Sequence, residues 1–335
     1  GPRRHVRARV RPVAGLSGIR MALKPAPSLP LHKNSITTRR PLAFHSNVGA
    51  EPQSAHRHKR IQAVLRARVL RAPRPRVAMT ARAAGSGTSS LGPVTMVPVG
   101  GGGGQLAAVK VSSPEAEATG GLPIVFGHGL TRNKEHQAKY CQDILNDRVV
   151  ILYDARGHGE SAGWEEQPPE AFTWEAQRGD ALAVADAFGL TGPIVLGGNS
   201  MTSAATVYAA LGEHAARIAG IVFCRLPTAW EARESRREAL FAAATSGKGH
   251  TPSNALAGAA LSDLPRPAAM EGRLPAVPTL LLSTHDDPAH PVATPKAMAE
   301  LLPCAEVVIC EHGKKSIKNE FPGIIRDFLL RLDAP

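Results

Sequence analysis

Ile194-Val195-Leu196-Gly197-Gly198-Asn199-Ser200-Met201-Thr202-Ser203 is the stretch on which the fold turns. A short apolar run leads into Gly-x-Ser, and a helical pattern follows. A serine on a tight strand-to-helix turn is pushed clear of the sheet. The turn needs tiny residues two places before and two places after the serine. The helix start behind it offers backbone N–H groups and positive potential to a developing oxyanion. Thr202 occupies the second of those positions, a bulkier residue than the turn prefers.

Working outward, short apolar runs recur at 123–126, 149–153, 218–224, 279–282 and 306–310. Continuous apolarity suits strands buried on both faces. Helical patterns lie between them at 134–145, 173–188, 201–214, 295–302 and 320–330. Such alternation predicts a mostly parallel sheet with helices on both faces. Before it, runs at 94–99 and 105–112 flank five glycines, Gly100 to Gly104, and read as a hairpin. The interval 226–275 breaks the rhythm. Its charged stretch at 230–244 and small-residue stretch at 254–264 predict a small helical cap over the sheet.

Two further segments strengthen the reading. Pro123-Ile124-Val125-Phe126-Gly127-His128-Gly129-Leu130 is a strand running into a His-Gly loop. Asp154-Ala155-Arg156-Gly157-His158-Gly159-Glu160-Ser161 fits D-x-R-G-x-G-x-S, with Asp154 and Arg156 fixing a sharp turn. Together with the Gly-Asn-Ser-Met elbow, these segments resemble the α/β-hydrolase family. The elbow is also similar to that of carbon–carbon bond hydrolases of the same fold.

The resemblance implies a serine nucleophile, Ser200, activated by a histidine that a carboxylate orients. It implies an oxyanion hole from the N–H groups of Met201 and Leu130. The acid is expected at Asp287 in Thr284-His285-Asp286-Asp287-Pro288, with Asp286 as the fallback. Thr202 and Thr284 both stand where the family usually has glycine. The base is expected at His312, just past the run at 306–310, although Gly313, Lys314 and Lys315 after it are unusual there. His290, beside the acid, is the poorer candidate for the base. His128 is expected to orient its loop. Leu226, Trp230, Leu240 and Phe241 of the cap are expected to line an apolar pocket or to form the cap's own core. The function implied is hydrolysis of a small-molecule ester or thioester without metal or organic cofactor. A carbon–carbon bond hydrolase and a non-catalytic receptor or scaffold are the alternatives.

Charge divides the 335 residues unequally. Residues 1–90 hold 19 Lys/Arg and one acid, Glu51, while the remainder carries a net −6. The basic character therefore belongs to a tail. A nucleic-acid surface on the body is not expected, and the −6 argues against highly anionic substrates. Residues 1–83 read as an Arg-rich, acid-poor organelle-targeting segment that engages the import machinery. A flexible linker is expected at 84–92 and the hydrolase domain at 93–335. Arg76-Val77-Ala78-Met79-Thr80-Ala81 is similar to plastid processing sites, so chloroplast is the expected address and mitochondrion the alternative. Met21 is a candidate initiator. No run is long and apolar enough for a membrane span. Cys141, Cys224, Cys304 and Cys310 lack metal-ligand spacing and are expected to be buried thiols.

Overall fold

A computed structural model describes residues 91–100, 103–118, 120–239, 242 and 251–334. Residues 1–83, where a targeting segment is expected, most of the expected linker at 84–92, part of the glycine run, and Leu240 and Phe241 lie outside the described residues.

The described chain builds one eight-stranded sheet. The strands are β1 (Thr95–Pro98), β2 (Gln105–Lys110), β3 (Ile124–Gly127), β4 (Val150–Tyr153), β5 (Ile194–Asn199), β6 (Ile218–Cys224), β7 (Thr279–Thr284) and β8 (Ala305–Cys310). Their spatial order is β1-β2-β4-β3-β5-β6-β7-β8. β2 runs antiparallel to both of its neighbours, and β4 through β8 are all parallel.

Strand side chains alternate faces, which divides the core in two. Val125, Ile151, Leu196, Ile221 and Leu281 point to one face, into a cluster with Leu182, Val184, Ala204 and Val207. The last four belong to helices α3 (Asp180–Ala187) and α4 (Met201–Ala210). Ile124, Phe126, Val150, Leu152, Val195, Val222 and Leu280 point to the other face. There they meet Ala138 and Cys141 of α2 (Lys134–Cys141) and Phe321, Ile325, Phe328 and Leu329 of α10 (Phe321–Leu332). A short α1 (Pro114–Ala118) precedes β3, and α8 (Ala293–Leu301) and α9 (Gly313–Asn319) flank β8. Between β6 and β7 lie α5 (Trp230–Glu234), α6 (Ser253–Leu261) and α7 (Pro267–Met270).

The helix expected over 173–188 begins only at Asp180. The Trp174 N–H is taken by Ser262 Oγ at 3.1 Å, and Gln177 Nε2 donates to Phe172 O at 2.9 Å. One contact to the segment between β6 and β7 and one back to Phe172 thus take up groups of this stretch before the helix begins. All four cysteines are free; three are buried, and Cys304 is exposed. Among the described residues no helix is long and apolar enough to cross a membrane.

Candidate active site

β3, β5, β6 and β7 end in register: Gly127 opposes Gly198, Asn199 opposes Cys224, and Cys224 opposes Leu282. The loops that leave these ends converge on Ser200. Its backbone is bent into a left-handed φ of 56° with ψ −105°. That conformation costs about 1–3 kcal/mol and survives only where the surroundings enforce it. Here the Ser200 N–H donates to Cys224 O at 2.9 Å, and Ser203 Oγ donates to Gly198 O at 2.6 Å. A Cβ on Gly198 would stand 2.4 Å from Ser203 N, so the turn admits no larger residue there.

Thr202 is accommodated by a neighbour. A Cβ on Gly127 would lie 2.6 Å from Thr202 Cγ2, so the missing side chain on β3 makes room for the extra bulk on α4. Thr202 is 1% exposed, and its Oγ1 accepts the Asn199 N–H at 3.0 Å, bracing the elbow.

The imidazole that faces the serine belongs to His290. Its Nε2 lies 2.7 Å from Ser200 Oγ, and its Nδ1 lies 2.9 Å from Asp287 Oδ2. A carboxylate only accepts, so the proton sits on Nδ1 and the bare Nε2 faces the hydroxyl. Burial is the main force lowering the His290 pKa, and the charges of Arg225 and Arg236 add to it; Asp287 opposes them. The hydrogen bond from His290 holds Asp287 well below the usual carboxylate range, helped by Arg225 against the opposing effect of burial. Arg225 follows β6 with φ 56° and gives Nη2 and Nε to Asp287 Oδ2 at 2.6 and 3.2 Å. Its Nη2 also lies 3.0 Å from His290 Nδ1. With the Nδ1 proton directed at Asp287, the positive charge of that guanidinium beside the ring disfavours imidazolium.

His312 is not brought to the serine. It is exposed at the start of α9. β8 lies three strands from β5, roughly 14 Å across the sheet at the usual strand spacing. Only Glu311 and His312 separate β8 from α9, too few residues to lead a side chain back over β7 and β6. The loop after β7 starts one strand closer and runs from His285 to Val292, which lets it fold back. Thr228 N donates to Ala289 O at 3.0 Å, and Arg236 Nη1 donates to Pro288 O, so the loop is held from above. Asp286, the fallback acid, is exposed with φ 60° and takes no part.

Leu130 and Met201 flank Ser200 in the wall of a cavity of about 410 Å³, together with Trp174, Leu256 and His290. Leu226 and Trp230 are not in that wall. Leu226 is buried in the core, and Trp230 packs against it with Nε1 donating to Pro265 O at 2.9 Å. Trp174 and Leu256, neither of which the sequence singled out, stand in the lining instead. His128 is fully buried; Nδ1 donates to Gly129 O at 2.8 Å and Nε2 accepts the Ala155 N–H at 2.9 Å. Burial drives its pKa down to about 3, which leaves it a neutral brace for its loop. Asp154 accepts Lys134 N and Nζ, each at 2.7 Å, and Arg156 is forked onto Asp180 at 2.7 and 2.8 Å. Both are structural ties.

The described chain superposes on solved structures over most of its length. An esterase from Thermogutta terrifontis superposes with a TM-score of 0.60 at 24% identity, over 72% of this chain and 100% of that one. The chain has the α/β-hydrolase fold. The enol-lactonase of Burkholderia xenovorans is similar at 22% identity, with a TM-score of 0.55 over 71% of this chain and 100% of its own. The proline iminopeptidase of Mycobacterium smegmatis gives 15% identity and 0.57, over 72% and 99%. No family model matches the sequence, and no curated protein does. In the α/β-hydrolase fold, as in other open α/β sheets, ligands gather outside the carboxyl ends of the strands, which is where Ser200, Arg225 and Asp287 stand.

Proposed function

We propose that the chain is a serine-dependent hydrolase of an ester or thioester, with Ser200, His290 and Asp287 as its catalytic triad. One observation carries this reading: the unbroken relay from Ser200 Oγ to His290 Nε2 at 2.7 Å and from Nδ1 to Asp287 at 2.9 Å. A serine hydroxyl is a weak nucleophile until an adjacent base can accept its proton. The lowered His290 pKa keeps that base neutral at pH 7.

In this reading Ser200 attacks the acyl carbonyl while His290 takes the hydroxyl proton. Asp287 holds the tautomer and offsets the imidazolium charge. The N–H groups of Leu130 and Met201 receive the oxyanion, each worth about 2.7–4 kcal/mol in comparable sites. His290 returns the proton to the leaving group, and water then repeats the sequence to release the acid. Arg225 acts as a positioning residue that anchors Asp287. Fold likeness to an esterase and an enol-lactonase supports acyl chemistry as the class.

A fluorophosphonate probe tests the reading. The wild type should label at Ser200, and Ser200→Ala should not. An unlabelled wild type would favour a binding protein built on this fold.

We also propose that the tail is a plastid address, on the strength of its 19 Lys/Arg against one acid. Uptake and cleavage of the full chain by isolated chloroplasts, and not by mitochondria, is the expected outcome.

A further inference from the structure

The cavity above Ser200 has a charge pattern that the net charge of the body conceals. Among the described residues its wall carries two guanidinium groups, Arg233 and Arg236, and no carboxylate. Arg233 is 6% exposed and lies over the Trp174 ring at 4.0 Å. Its Nε and Nη2 donate to Ser262 O and Ala259 O, and Nη1 reaches Thr228 O at 3.4 Å. Every one of those partners is neutral. The acid whose charge reaches Arg233, Asp263, directs Oδ1 to the N–H groups of Trp230 and Leu264 at 2.9 and 2.8 Å. Arg236, exposed at the rim, gives Nη1 to Thr228 Oγ1 at 3.3 Å and to Pro288 O. Among the described residues neither arginine has an ion pair.

A cation taken out of water without a counter-ion is costly, and an anion from outside relieves that cost. Leu130, Trp174, Met201, Pro227, Leu256 and Ala259 give the wall an apolar part, beside the hydroxyls of Thr131 and Thr228. A molecule that satisfies both parts has a short apolar body and one anionic end. The planar guanidinium fork matches a carboxylate in shape and charge, and about 410 Å³ suits a short chain.

We propose that the acyl substrate carries a second, ionised carboxylate, bound by Arg233 and Arg236 while its ester carbonyl faces Ser200. The inference rests on the serine-hydrolase reading and names the substrate class of that same site.

The test compares p-nitrophenyl hemiglutarate with p-nitrophenyl valerate, which differ in the terminal carboxylate. The wild type should favour the hemiglutarate in kcat/KM by about tenfold, the scale of one charge-assisted contact. Arg236→Gln should lower that ratio severalfold, with Arg233 keeping the remainder, Arg236→Lys should keep most of it, and added salt should lower it. Taking the ratio cancels any general loss from the tie between Arg236 and Pro288. A ratio at or below one in the wild type, or one unchanged in Arg236→Gln, overturns the proposal. Calorimetry on Ser200→Ala gives an answer that does not need turnover. Monomethyl glutarate should bind more tightly than methyl valerate, and equal binding is fatal to the idea. If the fluorophosphonate probe leaves Ser200 unlabelled, the hydrolase reading fails while calorimetry still decides the anion site. Inorganic phosphate that competes as well as glutarate would overturn the assignment to a carboxylate.

Discussion

The loops after β7 and β8 both carry histidines at the carboxyl end of the sheet, and of these only His290 reaches the serine. The loop after β7 has eight residues before α8, counting Val292 at the helix start, and is pinned by Thr228 and Arg236. It folds back so that Asp287 and His290, three residues apart, face each other and Ser200. The turn after β8 has two residues before α9 and leaves His312 in solvent. Histidine position in the chain matters less than the distance its loop can cover from its strand. Putting acid and base on one loop fixes their mutual geometry locally, and the only long-range alignment left is with the elbow.

The sharpest way to break the comparison is to remove each ring in turn. His290→Ala should lower kcat by ~10⁴-fold or more, the scale on which triad members act. His312→Ala should stay within about twofold, since exposed sites away from the chemistry are usually near-neutral. The reverse pattern in ester turnover would exchange the roles of the two loops.

Arg225 sharpens the account of the first loop. His290 faces Asp287, Arg225 and Arg236, and both arginines disfavour its protonation. The base works when neutral, so kcat/KM should rise with pH along a limb set below the ordinary imidazole value of 6.5. Arg225→Met removes one cation and should move that limb to higher pH. It should also lower kcat by less than His290→Ala does, because Asp287 keeps its contact with His290. A limb that stays in place would reduce Arg225 to a structural tie.

The smallest effect concerns the elbow itself. Gly127→Ala should cost about 1–3 kcal/mol by overpacking against Thr202. Combined with Thr202→Gly, the loss should fall short of the sum of the two single losses, as read from denaturant midpoints.

Much of this architecture was legible in the sequence because apolar runs bounded by Gly, Pro and Asp mark buried strands directly. The elbow was legible for the same reason, with Ser200 falling between β5 and α4. The partner of Thr202 was not, because Gly127 lies on another strand and only the β3–β5 pairing brings the two together. The choice of His312 over His290 followed the usual order of elements; the lengths of the two loops, visible only once β8 and α9 are bounded, reverse it. Arg225 and Arg233 carried no local pattern. Their meaning comes from packing: one lands on Asp287, and the other is buried with no ion pair among the described residues.

A crystal structure of the phosphonylated enzyme tests the central claim most directly. The account predicts phosphorus on Ser200 Oγ, with the His290 ring beside it and Asp287 behind. The phosphoryl oxygen should lie within about 3.1 Å of the Leu130 and Met201 nitrogens, the range for oxyanion donors. An adduct with the His312 ring against the serine, or phosphorus on another residue, would contradict it.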